Sequence, residues 1–143
     1  MTEKRTIDKP LPRATPTSRP FWEGLRAGEI RIQRCTHCAT WIFYPRSHCP
    51  HCLAREPEWV VVDGHARLHT FTVAHAPTAP FFADETPQLL AVVELEQGVR
   101  ITTTLVDVEV PQIRIGMRVR PVFEPTDGGE GVLLRYAPDE GAS

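Results

Sequence analysis

Four cysteines set as two C-x2-C knuckles, Cys35/Cys38 and Cys49/Cys52, constrain this chain more than any other feature. They are its only cysteines, and ten residues separate the pairs. Within that interval Tyr44-Pro45-Arg46-Ser47 favours a turn, so the chain can double back and aim four sulfurs at one point. Thiolates so spaced suit tetrahedral Zn2+ at roughly 2.3 Å per Zn–S bond, with no position left open for chemistry. A structural zinc ribbon is the expectation. A pair of disulfides and a rubredoxin-like iron site are the alternatives, because sulfur ligation alone does not choose the metal. His37, His48 and His51 lie within the knuckles and are expected to hydrogen-bond around the sulfurs.

A length of 143 residues allows one ordinary domain plus a small module. Fourteen prolines and nine glycines favour short strands and turns over long helices. No run of about 18 apolar residues exists to span a membrane. Met1 to Pro20 is polar and proline-rich, without the apolar core of a secretory signal. A cytoplasmic protein with reduced, metal-bound thiols is expected.

The net charge of -2 hides a segregation. Residues 1–34 carry eight Lys/Arg against four Asp/Glu, whereas residues 60–143 carry six against twelve. A polyanion would therefore prefer the front of the molecule.

Residues 1–16 read as a flexible or partner-ordered arm. A helical segment over 17–29 follows: Thr17 or Ser18 can cap it, Pro20 fits its first turn, and Gly28 can end it. Phe21, Trp22 and Leu25 give so short a helix a large apolar face that must dock on something. Ile30–Arg34 and Trp41–Tyr44 read as strands of a ribbon over 30–58. Strand signals recur at Trp59–Val62, Arg67–Val73, Leu89–Leu95, Val99–Val106, Met117–Phe123 and Val132–Tyr136, each β-branched or aromatic. Glu96-Gln97-Gly98 resembles a hairpin connection, and Ile115-Gly116-Met117 a bulged entry. These strands suit a small closed barrel of OB type over 59–137, with a tail at 138–143. The fold class expected is mainly β: a short N-terminal helical segment, a rubredoxin-like zinc ribbon and a C-terminal OB-fold barrel. Phe81-Phe82, in a loop framed by Pro77, Pro80 and Pro87, either tucks a ring under the barrel or faces a partner or ligand.

No thiol is left over as a nucleophile, and G-x-S-x-G, P-loop and G-x-G-x-x-G motifs are absent. His65, His69 and His75 would share strand parity in an unbroken strand, but Phe71 and Val73 fall on the same parity. Surface or satisfied strand histidines are the simpler reading.

Several segments together are similar to the acyl-CoA-associated zinc-ribbon/OB-fold family, long known as a domain of unknown function. They are Arg19-Pro20-Phe21-Trp22-Glu23-Gly24-Leu25, Ile32-Gln33-Arg34-Cys35 and Tyr44-Pro45-Arg46. After the knuckles come Trp59 before Asp63-Gly64, Thr70-Phe71-Thr72-Val73, Val92-Val93-Glu94-Leu95 with Gly98, and Ile115-Gly116-Met117-Arg118-Val119. The resemblance runs from Arg19 to Tyr136. It implies a non-catalytic partner of thiolase-like enzymes, hydroxymethylglutaryl-CoA synthases, hydratases or aldolases acting on CoA thioesters, with no catalytic residues of its own. Ala66 stands where a second glycine often follows Gly64, and Leu53 where glycine often follows the fourth cysteine.

CoA offers phosphates that want cations and an adenine that stacks on aromatic or guanidinium faces. Phe21, Trp22, Arg26, Arg34, Tyr44 and Arg46 are the candidates for a groove holding CoA or a partner. The function expected is an accessory or scaffold subunit of a CoA-thioester enzyme, thiolase-like first among the partners, in a hetero-oligomer. The alternative is a nucleic-acid binder, which the acidic second half disfavours.

Overall fold

Gly28 closes the first element, and its geometry explains how so short a helix ends cleanly. In the computed structural model, which describes residues 12–76, 87–126 and 131–139, α1 spans Arg19–Arg26. Gly28 takes a left-handed φ of 74°. That lets its N–H reach the Leu25 carbonyl while Glu29 N–H reaches the Gly24 carbonyl at 2.8 Å, the paired closure of a Schellman turn. At the other end Ser18 occupies the cap position but makes no side-chain cap bond. Its hydroxyl is engaged by Thr15 instead, accepting from Thr15 N–H at 2.9 Å.

Phe21 and Leu25 of α1 are buried in the main core, and the helix packs on β1 (Ile30–Arg34) and β8 (Val132–Pro138). β1 is the centre of a three-stranded antiparallel sheet, flanked by β2 (Trp41–Ile42) and β3 (Glu58–Val62). The expected strand through Tyr44 stops at Ile42, because Phe43 and Tyr44 leave the sheet.

The second sheet contains β4 (Ala66–Ala74), β5 (Gln88–Leu95), β6 (Arg100–Thr104), β7 (Arg118–Pro125) and β8, in the order β6-β5-β4-β7-β8. Alternate residues Leu89, Ala91, Val93 and Leu95 of β5 are buried, the period of two that points one strand face at the core. Gly98, at φ 88°, makes the β5–β6 hairpin. Gly116 N–H donates to the Leu68 carbonyl, and Leu68 N–H to the Met117 carbonyl, so the chain entering β7 is already tied to β4.

The closed barrel expected from the strand count does not form: the sheet is open. β3 pairs with β1 from Ile30↔Val62 to Arg34↔Glu58, and so is absent from the larger sheet. Between β6 and β8 no ladder runs; a single parallel bridge joins Leu105 to Tyr136. Side chains span the remaining gap. Thr103 Oγ1 donates to the Leu134 carbonyl and Arg135 Nη1 to Thr104 Oγ1, both at 2.9 Å. Beyond the bridge the chain turns away at Asp107, φ 56°.

Phe81 and Phe82 lie outside the described residues. No helix among the described residues is long and apolar enough to cross a membrane.

Candidate functional site

The two knuckles are built alike. Ala39 N–H donates to the Cys35 carbonyl and Cys35 N–H to the Thr40 carbonyl; Leu53 N–H to Cys49 and Cys49 N–H to Ala54 repeat the pattern. Ala39 and Leu53 take left-handed φ values of 63° and 65°. That conformation is the one glycine adopts at no steric cost, so both knuckle turns hold a side chain in a disfavoured region.

The four sulfurs converge within 4.8 Å of one another. Cys35 and Cys52 Sγ are 3.5 Å apart, Cys38 and Cys49 Sγ 3.6 Å. Bonds of roughly 2.3 Å to a tetrahedral ion give sulfur separations near 3.8 Å, whereas a disulfide needs about 2.05 Å. All four are free thiols, so the disulfide alternative falls. The cluster is able to coordinate a structural Zn2+.

Main-chain N–H groups of His37 and Cys38 point at Cys35 Sγ, and that of His51 at Cys49 Sγ, each at 3.4 Å. The histidines thus serve the sulfurs through their backbones; the His48 ring bonds Ser47 Oγ instead. Cys38 is drawn down to about 6 by the Thr40 hydroxyl and then the Thr40 N–H. The Cys38 N–H lowers Cys35 likewise. Both shifts favour the thiolate that a metal requires, whereas Cys52, against the lowering hydrogen bond from the Ala54 N–H, is pushed up to about 12 by burial and the three neighbouring sulfurs.

Beside the ribbon a groove of 580 Å³ opens. Its aromatic wall is continuous: Trp22–Phe21 centroids are 5.2 Å apart, Phe21–Phe43 5.6 Å and Phe43–Tyr44 4.7 Å. The opposite wall is the open β6–β8 seam, with Thr102, Thr103, Thr104, Leu133 and Leu134. Tyr44 is 60% exposed and its hydroxyl lies 3.5 Å from Thr102 Oγ1. Sequence reasoning missed the threonine wall, although Thr102-Thr103-Thr104 is an unusual run for a strand expected to face a core.

Of the six groove candidates, the structure brings Phe21, Trp22 and Tyr44 together. Arg26 lines an adjoining depression of 310 Å³ that shares Trp22 and Leu133 with the groove. Arg34 lies elsewhere: its guanidinium covers the Trp41 ring at 5.1 Å and Nε donates to the Ala39 carbonyl. Arg46 is held by its main chain. Gln33, 3% exposed, receives Arg46 N–H on Oε1 at 2.7 Å and gives Nε2 to the Arg46 carbonyl at 2.8 Å. This amide pairing fixes the turn that carries Tyr44.

The three strand histidines do not assemble. A register shift between Leu68 and Thr70 breaks the parity at His69. His65 finds a distant carboxylate, Asp139, at 3.2 Å. Among the described residues, only the cysteines gather as a metal-holding group.

A family model described as the ChsH2 rubredoxin-like zinc ribbon domain matches residues 22–58, and one described as the ChsH2 C-terminal OB-fold domain matches residues 59–124. The chain belongs to the ChsH2/DUF35 zinc-ribbon–OB-fold family. A DUF35 domain-containing scaffold protein of Methanocaldococcus jannaschii is 36% identical over 103 residues, covering 70% of this chain and 72% of that protein. The 3-oxo-4,17-pregnadiene-20-carboxyl-CoA hydratase alpha subunit of Mycobacterium tuberculosis is 32% identical over 125 residues. The match spans 84% of this chain but only 37% of that subunit. Among solved structures, a chain of "Ltp2-ChsH2(DUF35) aldolase" superposes with a TM-score of 0.80 at 31% identity, covering 90% of this chain and 98% of that one. DUF35 relatives of this size carry the name of scaffold proteins rather than of enzymes.

Proposed function

We propose that this chain is a non-catalytic scaffold subunit of an enzyme complex that processes CoA thioesters, its partner being a thiolase-like enzyme, a hydratase or an aldolase. The aromatic groove carries the reading: four rings and an open sheet seam offer an apolar surface beside a rigid ribbon. The likeness to the chain from the DUF35 aldolase supports it. Phe21, Trp22 and Tyr44 receive the CoA moiety or an apolar segment of the partner, with Arg26 at the neighbouring rim. Arg34 and Arg46 act at a distance, by holding the knuckle and the turn.

Zinc bound by Cys35, Cys38, Cys49 and Cys52 keeps the 30–58 unit rigid between the 17–29 helix and the 59–137 unit. The setting is the cytoplasm, where thiols stay reduced. Co-expression with a thiolase-like, hydratase or aldolase enzyme of the same source should yield one stoichiometric complex on size exclusion. Trp22→Ala with Tyr44→Ala should weaken that complex, or its affinity for CoA, at least about tenfold, as expected for aromatic anchors. Separate peaks for every such enzyme would sink the scaffold role. Unchanged affinities in the double variant would sink the groove.

A further inference from the structure

The aromatic groove runs along strand edges rather than across a sheet face. Successive side chains of a strand alternate between faces, yet residues 101–104 of β6 and 133–135 of β8 all line it. Leu95 N–H donates to the Val99 carbonyl and Leu105 N–H to the Leu89 carbonyl, in the register that sets Thr102 opposite Val92. Antiparallel partners alternate between bonded and non-bonded pairs, so the odd-numbered residues of β6 bond to β5. Arg100, Thr102 and Thr104 therefore aim their main-chain groups outward, toward β8. The bond from Thr126 N–H to the Gly131 carbonyl sets the parity of β8 in the same way, and turns Val132, Leu134 and Tyr136 toward β6.

The two edges are joined at one end, where Val106 N–H reaches the Tyr136 carbonyl at 2.8 Å. Two residues back, the Leu134 carbonyl is taken by the Thr103 hydroxyl instead of a main-chain donor. Tyr44 and Arg135 bond the hydroxyls of Thr102 and Thr104, not their main chain. Among the described residues, nothing meets the Thr102 N–H, the Thr102 carbonyl or the Thr104 N–H. Thr102 is exposed.

We infer that the open edge of β6 receives an extended peptide segment of the partner enzyme, added as a strand at Thr102, with an apolar side chain of that segment on the Phe21–Tyr44 aromatic wall. This rests on the scaffold reading and narrows its occupant to polypeptide. Outward main-chain groups recur at every second residue of β6, about 6.8 Å apart, the interval at which any extended peptide repeats its own. Main-chain bonds then give affinity, and the ring-lined wall selects the side chain. The pantetheine arm of CoA also carries two amides, but the additional methylene of its β-alanine unit puts them out of step with that interval.

The test follows main-chain amide exchange in the full, zinc-loaded chain when free, with CoA alone, and in the stoichiometric complex with its enzyme partner. Exchange at Thr102 should slow at least about tenfold in the complex, as for an amide newly held in a ladder, and stay unchanged with CoA. Thr102→Pro removes the outward N–H at an edge position, where proline is tolerated. It should weaken the complex about tenfold, the scale of one main-chain hydrogen bond, whereas Thr102→Ala retains the donor and should bind like the parent. A complex that forms with Thr102 unprotected, or that holds Thr102→Pro as tightly as Thr102→Ala, would overturn strand addition and leave the scaffold role standing. Protection of Thr102 by CoA alone would overturn it too, giving the edge to the small molecule. Absence of any complex would sink the scaffold role and this inference with it.

Discussion

Tyr136 Oη donates to the Gly64 carbonyl at 2.7 Å, tying the last strand to the turn between β3 and β4 across 72 positions of sequence. Tyr136 is fully buried, and Gly64 is buried beneath it. The bond thereby joins the end of the ribbon sheet to the edge of the larger one.

Tyr136→Phe keeps the ring but leaves the Gly64 carbonyl without its donor, and should cost about 1–3 kcal/mol in denaturant unfolding. Burial first, then the charge of Asp63, raises the Tyr136 pKa above its usual 10.0. The folded state thus holds the proton that the unfolded chain releases above about pH 10. This contribution is whole below that pH and declines as pH rises beyond it. The phenylalanine variant should lose stability less steeply in alkaline titration; equal slopes would show that Tyr136 is not the group responsible.

Gly64→Ala and Gly28→Ala separate strain from collision. Both glycines have positive φ, 78° and 74°. A Cβ at Gly28 meets nothing within 4 Å, whereas one at Gly64 collides with Cδ1 of the buried Ile30. Gly28→Ala should cost about 1 kcal/mol, and Gly64→Ala should cost about 2–5 kcal/mol when strain and overpacking combine. Thermal melts of equal depression in the two would contradict this account.

Gln33→Ala removes both bonds to Arg46 and should release the Tyr44–Ser47 turn without unfolding the sheet. Amide exchange at Arg46 should accelerate sharply while that of Ile32 stays protected, with a stability loss of about 1–3 kcal/mol. Retained protection at Arg46 would mean that the turn is held by other means.

Cys49→Ser should abolish bound zinc by elemental analysis and loosen β1, β2 and the helix packed on them. Structural zinc in small peptides contributes about 10–16 kcal/mol of apparent binding free energy, comparable to or larger than a whole domain's stability. Chelation of the parent protein should reproduce the variant's circular dichroism. Full zinc content with an unchanged melt would refute a four-sulfur site.

The strands were legible because each is a β-branched or aromatic run punctuated by glycine or proline. Leu89–Leu95 was expected and Gln88–Leu95 is found. Closure was not legible, since strand partners are chosen by contacts far apart in sequence. Nothing local to Trp59–Val62 says that it will pair with Ile30–Arg34. Likewise the cysteine spacing announced the metal cluster, while the groove depends on Thr103 meeting Leu134 across 31 positions. Arg34 and Arg46 were close in sequence to the aromatics, yet proximity along the chain did not fix where they would sit. One is claimed by Trp41, the other by the amide of Gln33.

The hydrogen bonds of Thr103 and Arg135 across the seam act as a clasp rather than as a weld. Main-chain ladders have a fixed spacing, but the span closed by a threonine hydroxyl or an arginine depends on which side chain evolution places there. The width of the groove's mouth is therefore set by side chains and not by strand pairing.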